Sequence, residues 1–370
     1  MKRCGTWCAV LCAMAWSLGC SGDNGEGPAS PLPGDTEQGT PAGPSSEDGA
    51  TESVLEIGED DPEFGVGDER FRHLPFRVNA FGATVFQGAL YVWGGHTGAL
   101  HDHFIDTLSN RMMRLDLSDA GAEWETLEQA EAVQQGSLFT HAGRMYRLGG
   151  MIAASRKGTE EDLHTLDRFE RYDAENGTWE ALPPMPNTRS SHGLTISEGV
   201  LYVIGGWQLT GPPESGLYHD DWVSIDLENI DAGWTLHELP FQIRDNCLGH
   251  ADGKVYVLGG MRMGEFPSVP RVYDPTDGSW SDGPETTVDS FVNAFGCASV
   301  STDETIYFSG QDGVVYALND ARDGWDHAGQ LQLERYFHAL VPHGEHELLA
   351  VGGAIGREAE PLATIESVQL

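Results

Sequence analysis

From residue 70 onward, apolar residues do not recur at helical spacing. They come in short continuous runs, each closed by two glycines and set apart by stretches rich in Gly, Pro, Asn and Asp. The first run is Leu90-Tyr91-Val92-Trp93-Gly94-Gly95. It returns as Met145-Tyr146-Arg147-Leu148-Gly149-Gly150, as Leu201-Tyr202-Val203-Ile204-Gly205-Gly206 and as Val255-Tyr256-Val257-Leu258-Gly259-Gly260. A degraded copy reads Ile306-Tyr307-Phe308-Ser309-Gly310-Gln311, and the last is Leu348-Leu349-Ala350-Val351-Gly352-Gly353. Runs of this length between turn residues predict buried strands, not helices. A second strand follows, carrying an aromatic or apolar residue and then Asp, as in Arg114-Leu115-Asp116, Arg171-Tyr172-Asp173, Ser224-Ile225-Asp226 and Val272-Tyr273-Asp274. A third opens on tryptophan at Trp124, Trp179, Trp234, Trp280 and Trp325.

The first glycines of successive pairs lie 55, 56, 54, 51 and 42 residues apart. A repeat of roughly 50 residues made of four short strands, a to d, is one blade of a β-propeller. Six copies predict an all-β, six-bladed ring over residues 67–370. Five tryptophans serve six blades, and the chain ends on Thr364-Ile365-Glu366-Ser367-Val368-Gln369-Leu370, which reads as strand c of blade six. The missing strand d is expected at the start of the domain, where Phe71-Arg72-His73-Leu74-Pro75-Phe76 aligns with Trp179-Glu180-Ala181-Leu182-Pro183. An N-terminal strand joining the C-terminal blade would close the ring and remove the free edges of an open array.

The glycine pair, the Tyr-Asp step and the tryptophan together resemble Kelch repeats, over about 300 of the 370 residues. Blade five departs from the pattern, with Gln311 for the second glycine and Val315-Tyr316-Ala317-Leu318 without the Asp.

Ahead of the propeller, Lys2 and Arg3 precede a mostly apolar stretch over 5–19, too short for a comfortable membrane span. Ser17-Leu18-Gly19-Cys20 resembles a bacterial lipoprotein signal with its Leu and small residue exchanged, which implies residues 1–19 as signal peptide and Cys20 as the lipidated residue. A plain secretory signal is the alternative. Either reading puts the protein outside the cytoplasm, and the first tethers it to a membrane through Cys20 alone. Residues 20–66 are expected to be a disordered linker: 21–66 hold 12 acidic residues, no Lys or Arg, and few apolar groups to offset ordering entropy.

The chain carries 58 acidic and 21 basic residues, a formal net charge of −37. Such a surface repels nucleic acid and anionic lipid. Cys247 and Cys297 are the two cysteines of the propeller, at matching places in adjacent blades. Gly82 and Gly193 hold that place in blades one and three, so small buried free thiols are expected there, with a disulfide, which an oxidising compartment would permit, as the alternative.

In a propeller the b–c and d–a loops share one face. The b–c loops are long in blades one to three, at 96–110, 151–166 and 207–219, the last beginning with Trp207. Long loops on a rigid scaffold are where function concentrates. The starts of the a strands would set Asn79, Gln134, Arg189, Arg244, Asn293 and Arg335 around the channel mouth. Blades one and five even repeat a phrase there, Val78-Asn79-Ala80-Phe81-Gly82 and Val292-Asn293-Ala294-Phe295-Gly296. Guanidinium forks suit carboxylate ligands; equally, arginines at this point of a Kelch repeat would bond neighbouring backbone carbonyls. His96, His101 and His103 with Asp102 make the densest metal-like cluster, yet their spacing matches no strong ligand motif.

There is no Gly-x-Ser-x-Gly elbow and no Walker loop, and no cofactor is implied. The expected role is a monomeric binding module that meets a protein or glycan through the loop face. A sugar-active enzyme resembling periplasmic Kelch mutarotases of sialic acid is the alternative. A copper enzyme resembling galactose oxidase is more remote, since it needs a Cys–Tyr crosslink.

Overall fold

The glycine pairs and tryptophans mark out the blades in the computed structural model, which describes residues 55 and 57–370 apart from 130, 303 and 304. The signal segment, Cys20 and most of the linker lie outside the described residues.

Blade one is the antiparallel sheet Gly82–Phe86, Ala89–Trp93, Arg111–Asp116 and Glu125–Gln129, in that order. Blade two comprises Ser137–His141, Arg144–Leu148, Phe169–Asp173 and Thr178–Ala181. Blade three comprises Gly193–Ser197, Val200–Ile204, Asp221–Asp226 and Thr235–Glu238, and blade four Arg244–Ala251, Lys254–Met261, Arg271–Asp274 and Ser279–Asp282. Blade five comprises Ala298–Ser301, Ile306–Ser309, Val314–Leu318 and Trp325–Gln330. Blade six is three-stranded: Ala339–Pro342, Glu347–Val351 and Ile365–Gln369.

The core is divided among the seams between blades. Phe86, Tyr91 and Trp93 of blade one pack on Leu138 and Met145 of blade two. Phe139, Tyr146 and Phe169 of blade two pack on Leu201, Val203 and Ile225 of blade three. Equivalent clusters fill the seams from three to four, four to five, five to six, and six back to one. The tryptophans reach across these seams: the indole N–H of Trp234 donates to the Pro183 carbonyl at 2.8 Å, and that of Trp325 to Pro284 at 3.0 Å.

The glycine pair explains its own recurrence. Gly94 and Gly95 have φ of 70° and 106°, and a Cβ on Gly94 would sit 2.4 Å from the Val133 carbonyl oxygen. Only a residue without Cβ fits that close approach and backbone. In return, the second glycine's N–H bonds the next blade: Gly95 to Val133 O, Gly150 to Arg189 O, Gly206 to Ile243 O, Gly260 to Ala294 O and Gly353 to Val78 O, at 2.7–3.1 Å.

Ring closure differs in detail from the expectation. Residues 71–76 form no regular strand, although they run beside the last one. Asp68 N–H bonds Ile365 O, Leu74 N–H bonds Ala363 O and Val78 N–H bonds Leu362 O, while the Trp124 indole donates to Arg72 O at 3.1 Å. Phe71, Leu74 and Val78 are buried against Val341, Leu349 and Ile365. Residues 57–66, which composition assigns to the linker, pack onto the propeller. Glu63 is 1% exposed. One of its carboxylate oxygens accepts the backbone N–H groups of Ala363 and Thr364, at 2.6 and 2.7 Å, and the other accepts Arg77 Nε at 2.7 Å. Local charge content hides this, since Ala363 and Thr364 are 300 and 301 residues away from Glu63.

A second correction concerns the cysteines. Cys247 and Cys297 are not free thiols; they form a disulfide between blades four and five, with Cα atoms 5.8 Å apart. The two are not at matching places, since Ala298 rather than Cys297 is the counterpart of Cys247, but the adjacent a strands approach closely enough for the bridge.

Candidate binding site at the channel mouth

Each a strand enters through a residue in the left-handed region. These are Ala80, Gln135, Ser191, Asp245 and Phe337, with φ of 52–55°, and Gly296, with φ of 66°. They stand at one place in the repeat, two residues before the residue that pairs with the end of strand b. Their backbones are linked around the axis. Gln135 N–H bonds Ala80 O, Ala80 bonds Phe337, Phe337 bonds Gly296, Gly296 bonds Asp245 and Asp245 bonds Ser191, at 2.6–2.9 Å. Inside this circle, Gln135 Nε2 donates to Asp245 Oδ1 at 2.9 Å, from blade two to blade four, and Ser191 Oγ donates to Gln135 Oε1 at 2.6 Å. The channel is narrowed here by a polar bridge on one side. On the other, rings follow one another: Phe266 to Phe295 at 5.5 Å, Phe295 to Phe337 at 5.2 Å and Phe337 to Tyr336 at 5.1 Å.

Register decides which of the expected residues face the mouth. Arg189 and Arg335 do not. Each is 0% exposed. Arg189 Nη1 donates to the carbonyls of Gly205 and Asp221, and Nη2 pairs with the Asp221 carboxylate. Arg335 repeats this with the carbonyls of Gly352 and Thr364, the Thr364 hydroxyl and Glu366. They occupy the position of Val78, Val133 and Ile243, one residue before that of Arg244, and serve as struts between strands of their own blade. The backbone-carbonyl alternative is therefore the correct one for these two arginines.

Arg244 does reach the mouth, with its side chain 18% exposed. Its guanidinium stacks on Trp207 at 4.4 Å, donates from Nε to the Tyr218 hydroxyl at 3.0 Å, and pairs through Nη1 with Asp245 at 2.5 Å. Burial pushes the Asp245 carboxyl up, against the pull of Arg244 and Ser191. Asn79 is buried and exchanges backbone hydrogen bonds with His96. Gln134 is buried, its amide nitrogen 3.1 Å from His103 Nδ1. Asn293 stands apart from the ring. The repeated phrase of blades one and five is out of phase by two, because Ala298, not Gly296, is the counterpart of Gly82.

The long loops are not irregular. Met151–Ala153 pairs with Leu163–Thr165, which pairs with Thr210–Gly211 of the next blade, and Trp207–Gln208 pairs with Leu217–Tyr218. Loop one is tied to loop two by Ile105 N–H to Ser155 O, by His103 N–H to Glu161, and by the pairs Lys157–Asp102 and Arg156–Asp106. Blades one to three thus carry one continuous rim. The three histidines do gather in it: His96 and His103 ring centroids are 5.0 Å apart, His101 and His103 6.5 Å. Burial lowers all three pKa values, that of His103 to about 3. The rings are therefore neutral at pH 7, yet His96 Nε2 faces the Asp102 carbonyl at 3.0 Å and His103 Nδ1 faces Gln134. Among the described residues, no three His, Cys, Asp or Glu side chains converge on a metal position. The disulfide also removes both propeller cysteines from the Cys–Tyr crosslink that an oxidase of the galactose oxidase kind would need.

Sequence reading missed Gln135, Ser191, Tyr218 and Asp245. Counting back from the glycine pair would have found three of them, since the left-handed residue recurs at a fixed offset. Tyr218 reaches Arg244 only because the 207–219 loop folds back as a hairpin.

Comparison with known proteins agrees with this architecture. Residues 245–287 match the Kelch motif. The Xenopus laevis Kelch-like protein 40 is 28% identical over 62% of this chain and 37% of its own length. The Caenorhabditis elegans spermatocyte protein spe-26 is 28% identical over 52% of this chain and 35% of its own. The chain thus spans about a third of the length of such relatives. The solved structure of YjhT superposes with a TM-score of 0.61 at 15% identity, covering 80% of this chain and 96% of that one. The glycine stitching, the seam-by-seam core, the matched motif and this superposition together make the fold a Kelch-type six-bladed β-propeller.

Proposed function

We propose that the protein is an extracytoplasmic binding module, tethered through a lipid on Cys20, that engages a protein or glycan partner with the loop face of blades one to four. The observation that carries this reading is Arg244, stacked on Trp207, bonded to Tyr218 and backed by Asp245. Arginine, tryptophan and tyrosine held rigid near the centre of a surface are the residues that dominate binding energy. Their fixed positions reduce the ordering cost of association. At the mouth Arg244 is paired with Asp245, and on the rim Lys157 is paired with Asp102.

The test is a glycan array together with affinity capture from extracytoplasmic extract, using the full chain and the variants Arg244→Ala and Trp207→Ala. Retention of a partner by the wild type, with at least a tenfold loss (about 1.4 kcal/mol) in both variants, each still melting cooperatively, is expected. Binding indifferent to both substitutions would overturn the assignment. Arg189→Ala is not a test of binding, because it removes a buried strut. The tether is checked separately: a fatty-acid analogue should label the wild type and not Cys20→Ser, and an unlabelled wild type would leave only the secretory alternative.

A further inference from the structure

At the end of the channel away from the loops, the a strands and a–b turns of blades two to five line a cavity of about 370 Å³ that opens to solvent. That size falls in the range of small-molecule sites, roughly 300–1,000 Å³. The Gln135–Asp245 bridge lies between it and the loop face. From the hydrogen-bonding row along its wall, we infer that this cavity is a second binding site, for a neutral polyhydroxylated molecule the size of a monosaccharide.

Three blades contribute to that row. Thr195 Oγ1 of blade three is 2.9 Å from His250 Nδ1 of blade four, and the His250 backbone N–H donates to Ser301 Oγ of blade five at 2.8 Å. Burial lowers the His250 pKa, which keeps the imidazole neutral and able to accept or donate. Blade two adds His141, whose Nε2 is buried without a hydrogen-bond partner. His141 and Thr140 line the pocket from blade two. Leu194, Leu248 and Val300 complete the wall with apolar surface suited to the C–H face of a sugar ring.

Charge narrows the ligand class. Glu198 is the one carboxylate of the lining, and no Lys or Arg belongs to it. An anion would meet a carboxylate with no counter-charge, on a chain of net charge −37. Hydroxyls, the neutral His250 imidazole and one acceptor carboxylate fit uncharged hydroxyl groups instead.

The experiment is calorimetric titration of the full chain with glucose, galactose and N-acetylglucosamine, together with the histidine side-chain NMR signals. At least one sugar is expected to bind, to shift the His250 and His141 imidazole resonances, and to bind about tenfold more weakly to Thr195→Val and Ser301→Ala. The melting temperature of each variant reports whether it has folded. The imidazole shifts in the wild type test the site even if a variant does not fold. Three results would each overturn the inference: no binding of any of the three sugars, binding without movement of those imidazole signals, or binding that survives both substitutions. Binding lost in Arg244→Ala yet kept in Thr195→Val would place the sugar at the loop face and refute the cavity site while sparing the functional reading.

Discussion

Replacing Glu63 with alanine should weaken closure of the ring more than any other single change in the N-terminal segment. The carboxylate accepts two backbone N–H groups, from Ala363 and Thr364, at 2.6 and 2.7 Å in a site with no solvent access to the side chain. Each donor left unpaired costs about 1–3 kcal/mol. The lost pairing with Arg77 adds little, because that side chain is 35% exposed and water can take over. The sum is about 2–6 kcal/mol, a large share of the roughly 5–15 kcal/mol that holds a typical domain together. Urea unfolding of the full chain, followed by tryptophan fluorescence, measures it directly. Glu63→Gln keeps an acceptor oxygen but not the charge, so about half the loss is expected. A chain trimmed to begin at residue 67 lacks Glu63 altogether and should unfold as early as Glu63→Ala. The reasoning fails if Glu63→Ala lies within about 1 kcal/mol of wild type, or if the glutamine and alanine variants behave alike.

Two further outcomes follow from buried groups. His338 is buried with neither ring nitrogen hydrogen-bonded, and burial holds its pKa at about 3 against about 6.5 unfolded. Its folded value is depressed, so the stability tied to its neutral form is complete above pH 6.5 and is lost as pH falls from 6.5 towards 3, at about 1.4 kcal/mol per pH unit. His338→Phe gives blade six the residue that blade one has at that place, Phe81. It should change stability at pH 7 by less than about 1 kcal/mol and flatten the loss between pH 6 and 4 by that slope; parallel curves for variant and wild type would refute it. The Cys247–Cys297 bridge spans a sequence separation of 50, so reduction should lower the unfolding free energy by about 2–4 kcal/mol, read as a drop in urea midpoint with reductant that Cys247→Ala/Cys297→Ala no longer shows.

Much of the fold was legible because a blade is a local object. Its four strands, its glycine pair and its tryptophan lie within about one repeat, and the pair recurs because a Cβ there would strike the next blade's carbonyl. Even the degraded fifth copy keeps its four strands, with Gln311 accepting from Ser290 Oγ at 2.5 Å.

The site was less legible because it depends on register and on closure. Spacing placed the entry of each a strand to within a residue or two, and along extended chain one residue changes the face a side chain meets. That slip separates Arg189 and Arg335, which brace the interior, from Arg244, which faces the mouth. Asn293 moved away from the ring for the same reason. Non-local partners lay further out of reach. Composition reads Glu63 as part of an acidic linker, and only the closed ring brings it to Ala363 and Thr364. The bridge from Gln135 to Asp245 joins residues 110 apart, and the cysteines meet only because neighbouring a strands converge on the axis. The sequence by itself determined six blades and, to within a residue or two, where their strands lie, since strand period and turn chemistry act over a few residues. Which side chains face the channel, which acid latches the ring and which cysteines join were decided by the tertiary structure, because these pairings exist only once the circle is closed.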